Sequence, residues 1–184
     1  MSPFHNARPR RADAQRNHDL LLAAAAQVFA EKGADAPLDE VARRAGVGNA
    51  TMYRHFPTRS DLLVAVYADE VAQLCARGEA LLAEGLADGR PAEALRAWLR
   101  LFMTHVAAKR DLALAVAGDE RSRRLADWHA AMLATASDLV DAARRAGAAR
   151  PDLDVRDLLT LVKGIALAAD GEEQAARLLA LVDL

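Results

Sequence analysis

Apolar side chains recur at helical spacing along most of this chain. Leu21, Ala24, Ala25, Val28 and Phe29 form one stripe over residues 16–32, with Gly33 where a helix C-cap belongs and Phe29 expected as the central core residue. Leu38, Val41, Ala42 and Ala45 stand at i, i+3, i+4 and i+7, one face of a short helix that Gly46 ends. A second short helix is expected at 49–55. Thr58, with Asp61 three positions on, resembles a capping box and opens a longer helix. Leu62, Leu63, Val66, Tyr67, Val71, Leu74 and Cys75 carry its apolar face, and the first breakers are Gly78 and Gly85. Further helices are expected at 91–108, 110–117, 119–146, 154–169 and 172–182. The pattern predicts an all-α fold of about nine helices. A three-helix N-terminal head is joined to a C-terminal helical bundle body, with the boundary placed along the helix that begins at Thr58.

Residues 1–15 break the pattern. They hold Pro3, Pro9 and several charges without apolar periodicity, and read as a disordered basic arm. The arm is either a solvated tail or a minor-groove contact. The expected organisation is therefore the arm at 1–15, a helix-turn-helix domain at 16–60, and a ligand-binding and dimerisation domain at 61–184.

Composition agrees with helices. The 184 residues are 53% apolar but only 4% aromatic, and alanine supplies much of the apolar share, which favours close-packed helices over sheets. The net charge of −2 is unevenly spread: residues 1–60 hold 9 basic against 6 acidic side chains, and the rest 15 against 20. A basic head on an acidic body suits a nucleic-acid-binding end and a regulatory end. The single Cys75 excludes an intrachain disulfide framework. No apolar run approaches the roughly 20 residues of a membrane span. Arg8, Arg10 and Arg11 before an apolar run imitate a signal peptide, but Asp13 and Asp19 interrupt the basic region. A cytoplasmic location is expected.

Residues 38–56 carry the most chemistry. Two short helices joined by a Gly-containing turn of about three or four residues form the helix-turn-helix pattern, whose second helix enters a major groove. Asn49, Ala50, Thr51 and Arg54 are suited to base edges: Asn pairs with adenine, Arg with guanine, and Ala or Thr methyls meet thymine. Thr51, Tyr53 and His55 offer donors to phosphate oxygens, and Arg59 adds charge beyond them. Spacing alone leaves open a plain pair of packed helices.

The segment AGVGNATMYRHFPTRSDL resembles the recognition segment of TetR-type regulators, where AGVSxGTLYxHFxSKExL is usual. The likeness begins in the first helix and runs to Leu63. It implies an all-helical homodimer with a DNA-binding head and a ligand-binding body. It also implies base or phosphate contacts by Asn49, Ala50, Thr51, Tyr53, Arg54 and His55, with Arg59 in the place of a family lysine. Three departures matter: Pro37 for Thr, Gly48 for Ser, and Ala50 for Gly. Gly48 removes a side-chain cap. In the body, PAEALRAWLRLF and DLLTLVKGIALAA are similar to an SbtR-like branch of the same family.

The body carries weaker signals. Tyr67, Leu74, Cys75, Trp98, Phe102, His105, Trp128, His129 and Met132 are candidates to line an effector cavity, although such residues at helical spacing are more often core. His105 and His129 lack the spacing and company of metal ligands. No cofactor is implied. Residues 158–169 are apolar on nearly all sides, which requires burial on more than one side. Leu158, Val162, Ile165, Ala169, Leu178 and Val182 are therefore expected at a four-helix interface between two copies. An entirely intramolecular core is the alternative. No serine lies in a nucleophile elbow and no Gly-rich phosphate loop exists, so an enzyme is disfavoured. The reading is a repressor that binds double-stranded operator DNA and is released by a small-molecule effector. A ligand-binding protein whose head no longer reads DNA, and an all-helical enzyme, are the competing classes.

Overall fold

The first helix starts earlier than the apolar pattern predicts. In the computed structural model, which describes residues 7–108, 119–182 and 184, α1 covers Ala7–Lys32. Residues 7–15, expected within a disordered arm, are thus helical. Ala, Arg and Gln are strong helix formers, and Pro9 falls in the first turn, where backbone N–H groups have no intrahelical partner to lose. The remaining helices are α2 (Leu38–Ala45), α3 (Asn49–His55), α4 (Arg59–Ala87), α5 (Pro91–Ala108), α6 (Asp119–Arg145), α7 (Val155–Ala168) and α8 (Glu172–Ala180). Among the described residues there are eight helices and no strand. The short helix expected at 110–117 lies outside them.

The chain divides into two compact units, residues 1–69 and 70–184, and the division falls inside α4. In the first unit Leu21, Ala25, Val28, Val41, Ala42, Met52 and Leu62 are fully buried together. Phe29 is not the centre: it is half-buried and packs against the rim of this cluster. The branched residues of α1 that share its stripe fill the middle instead. Gly46 takes a left-handed φ of 67° after α2, and its N–H and that of Val47 close the helix end onto Arg43 and Ala42. Thr58 and Asp61 make a reciprocal capping box. The Asp61 carboxylate accepts from the Thr58 N–H at 3.0 Å, and Thr58 Oγ1 accepts from the Asp61 N–H at 3.1 Å.

In the second unit α4 runs through both Gly78 and Gly85. Glycine costs about 1 kcal/mol in a helix interior, and close packing explains its presence. A Cβ at Gly78 would stand 2.3 Å from Thr135 and 2.8 Å from Trp98, and one at Gly85 2.7 Å from the Ala94 Cβ. Trp98 is wholly buried, donates its ring N–H to the Leu74 carbonyl at 3.1 Å, and stacks on Phe102 with centroids 5.6 Å apart. Leu95, Leu99, Leu139 and Val140 complete the centre. Asp154 caps α7 by accepting from the N–H groups of Arg156 and Asp157 at 2.7 and 3.0 Å.

Candidate nucleic-acid interface

The seven residues of α3 are sorted by burial. Met52 is fully buried and Phe56, just after the helix, nearly so. These two fix the inner side of the helix in the head's core. Asn49, Ala50, Tyr53 and Arg54 are exposed, and Thr51 and His55 are half-buried. Tyr53, 46% exposed, is a large aromatic ring left in solvent, and the exposed Arg54 follows it in the chain. One outward face therefore brings together four of the predicted contact residues, with Thr51 and His55 at its margins. Arg54 Nη2 lies 3.4 Å from Thr51 Oγ1, one turn away.

The head around α3 is fastened by charges. Arg44 makes a two-pronged pair with Glu31 at 2.6 and 2.8 Å, and Lys32 meets Glu40 at 2.5 Å, so the end of α1 is tied to α2 twice. These cations hold the Glu31 and Glu40 carboxyls below their ordinary range, mainly through the hydrogen bonds from Arg44 and Lys32 respectively. The α2–α3 link is a hydrogen bond from Asn49 Nδ2 to the Asp39 carboxylate at 3.2 Å. Asp39 was not expected to touch a recognition residue, since a ten-residue separation leaves no periodic trace.

His55 sits against α1. Its ring lies 6.1 Å from His18, and His18 lies 5.2 Å from Phe56, centroid to centroid. Burial, then the neighbouring His18, then Arg54, push the His55 imidazole below its ordinary value. Arg59 is turned differently from the other candidates: its Nη1 donates to the carbonyls of Ala34 and Ala36 at 2.8 and 2.6 Å, inside the head.

The residues expected to line an effector cavity are dispersed by the fold. Leu74, Trp98, Phe102 and Met132 are buried core residues; His129 is exposed, and His105 and Trp128 are half-buried. Tyr67 belongs to the first unit. Cys75 borders a cleft of about 260 Å³ between α4 and α6, with Glu79, Leu82, Ala134, Thr135 and Asp138. Of the residues expected at a dimer interface, Leu158 and Val162 are buried, at 2% and 0% exposure, which turns them toward their own unit. Ile165, Ala169, Leu178 and Val182 are half-buried. A shallow groove of about 610 Å³ runs along α7 and α8, where Leu161, Ile165, Leu178, Leu181 and Val182 come together. Leu161 (52% exposed) and Leu181 (80%), which were not among the expected interface residues, are the outward ones there. Among the described residues no three His, Cys, Asp or Glu side chains converge as metal ligands would, and no helix is long and apolar enough to cross a membrane.

A buried-and-exposed short helix after a Gly turn, in a three-helix head followed by a helical body, defines a helix-turn-helix regulator. Residues 21–66 match the family description "Bacterial regulatory proteins, tetR family", and residues 90–183 match "Transcriptional regulator SbtR-like, C-terminal domain". The chain is similar to the TetR transcriptional regulator SCO0520 of Streptomyces coelicolor, at 42% identity over 89% of this chain and 94% of that one, with a TM-score of 0.74. It is likewise similar to a TetR transcription regulatory protein of Mycobacterium vanbaalenii, at 38% identity over 96% and 100% of the two chains and a TM-score of 0.75. Over 63 residues it is 40% identical to the HTH-type transcriptional regulator SrpR of Pseudomonas putida, covering 34% of this chain and 30% of that protein. The chain spans less than half the length of the curated relatives it matches. The chain belongs to the TetR family of transcriptional regulators, with a C-terminal domain of the SbtR-like kind.

Proposed function

We propose that this protein is a homodimeric repressor that binds double-stranded operator DNA through α3 and is released by a small-molecule effector bound in residues 70–184. The observation that carries the reading is the sorting of α3: Met52 and Phe56 anchor it, while Asn49, Ala50, Tyr53 and Arg54 face outward together. Asn49 and Arg54 supply bidentate partners for adenine and guanine, Ala50 and Thr51 offer methyl contact to thymine, and Tyr53 and His55 reach phosphate oxygens. Two heads of a dimer would occupy major grooves separated by about 34–36 Å or a longer helical multiple. The apolar groove on α7 and α8 fits a second copy, because the exposed Leu161 and Leu181 both line it. The cleft bordered by Cys75, Glu79 and Asp138 is the concave site we assign to the effector.

The test is selection of genomic DNA fragments by the purified protein, followed by mobility shift at fixed salt. A single enriched palindromic site is expected. Arg54→Ala, which removes a bidentate base contact that discriminates by about 1–3 kcal/mol, and Tyr53→Ala, which removes a phosphate contact, are each expected to cut specific binding to it sharply while leaving the dimer folded. Enrichment of no sequence, or unchanged binding by both variants, would sink the reading. Increased transcription from the selected promoter in the protein's presence would replace repressor by activator.

A further inference from the structure

We infer that Arg59 is a positioning residue for operator recognition, one that fastens the α1–α2 loop to the first turn of α4 and does not anchor a phosphate. The inference rests on the reading of α3 above.

The loop between α1 and α2, residues 33–37, is weakly held by its own chemistry. Gly33 has a left-handed φ of 81°, and the Ala36 N–H reaches the Gly33 carbonyl at 3.2 Å. Pro37 occupies the N-cap position of α2, where it provides no side-chain hydrogen bond to the free N–H groups. The entrance of α2 therefore has no side-chain cap of its own, yet Asp39 sits in its first turn and holds the Asn49 amide.

Arg59 supplies the missing fastening. The two N–H bonds of one terminal nitrogen go to the carbonyls of Ala34 and Ala36, on either side of Asp35, at 2.8 and 2.6 Å. Charge-assisted bonds of this length are the strong kind. The Ala34 carbonyl it meets is two residues past the end of α1, and positive charge is favoured near a helix C-terminus. Arg59 itself is half-buried. A side chain committed in this way has lost the freedom to follow a phosphate. Instead a path of direct bonds leads from the start of α4 through Arg59 to the loop, into α2, and from Asp39 to Asn49 on the recognition helix. One of the two amide N–H groups of Asn49 is used on Asp39, leaving the other N–H and the amide oxygen as the pair an adenine edge requires. Displacing the loop would turn that pair away from the groove.

Phosphate anchoring and positioning give different salt dependence. The full-length protein is titrated with the selected operator and with an unrelated duplex over a range of salt, well below the unfolding temperature. Arg59→Gln and Arg59→Ala are compared with the wild type, and Arg54→Ala serves as the control on α3. For a positioning role, operator affinity falls about tenfold in Arg59→Ala, the unrelated duplex is unaffected, and the slope of log K against log salt is unchanged. Arg59→Gln, which keeps two N–H donors on one nitrogen but on a shorter side chain and without the charge, recovers part of the loss. Hydrogen exchange at the Ala36 and Glu40 amides speeds up in both variants, with or without DNA.

A slope smaller by about 0.9, with operator and unrelated duplex weakened alike, would show a phosphate contact and overturn the inference. So would unchanged affinity together with unchanged exchange. If Arg59→Ala does not fold, Arg59→Gln carries the same comparison. An unchanged operator affinity in Arg54→Ala discredits the α3 assignment instead, while the exchange data still report on Arg59.

Discussion

His55 shows how a neighbour across the head changes a residue's chemistry. The imidazole stands against His18 of α1 and follows Arg54 in the chain, and it is held below its ordinary value by burial first, then by His18 and then by Arg54. The sign of the consequence follows. As pH falls through the ordinary histidine value of about 6.5, the unfolded chain takes up this proton before the folded one does, so stability falls. The contribution is fully present above that value and is lost toward the lower folded value. Urea midpoints measured between about pH 7.5 and 5.5 are expected to drop in the wild type and to drop less in His55→Gln. Equal slopes in the two proteins would exclude the effect. Glu31 and Glu40 do not confuse the window, because their depressed values matter only below the ordinary carboxyl range.

At the scale of an element, α4 shows what close packing demands of a helix. Alanine at position 78 would gain about 1 kcal/mol in helix propensity. Its Cβ, however, meets Thr135 at 2.3 Å and the Trp98 ring at 2.8 Å, and the Trp98 ring is pinned by its bond to the Leu74 carbonyl and by Phe102. Overpacking of this kind costs about 1–3 kcal/mol, so Gly78→Ala is expected to be net destabilising. Chemical denaturation would show it, and a more stable variant would mean that α4 and α6 separate readily. Gly48 is the opposite case. It caps α3 without a side-chain bond and has open space around it, so its glycine answers no packing need.

For the whole molecule, the apolar strip on α7 and α8 decides whether the proposed dimer exists. Leu158 and Val162 already serve their own unit, so the partner-facing work falls to Leu161, Ile165, Leu178 and Leu181. An interface that is isologous doubles every change. Leu161→Asp is therefore expected to convert the dimer to a folded monomer, with helical content intact, in analytical ultracentrifugation. A variant that stays dimeric would place the interface elsewhere. Operator affinity should fall when dimerisation is lost, because a single head keeps only half of the phosphate and base contacts.

Local pattern alone determined the all-helical class, most helix boundaries, the capping box at Thr58 and Asp61, and the helix-turn-helix at residues 38–56. Each depends on neighbours within one or two turns, and a period of 3.6 records such neighbours in the chain itself. Tertiary structure decided the rest. Phe29 lies at the rim of a core that Leu21, Ala25 and Val28 fill. Leu158 and Val162 turn inward while Leu161 and Leu181 face solvent. The residues expected around one cavity are divided between a packed core and the surface. Arg59 reaches back 25 residues to the Ala34 carbonyl, and His18 meets His55 across the head. Periodicity marks which side of a helix is apolar, but which helix lies opposite, and at what distance, is set only when the helices pack.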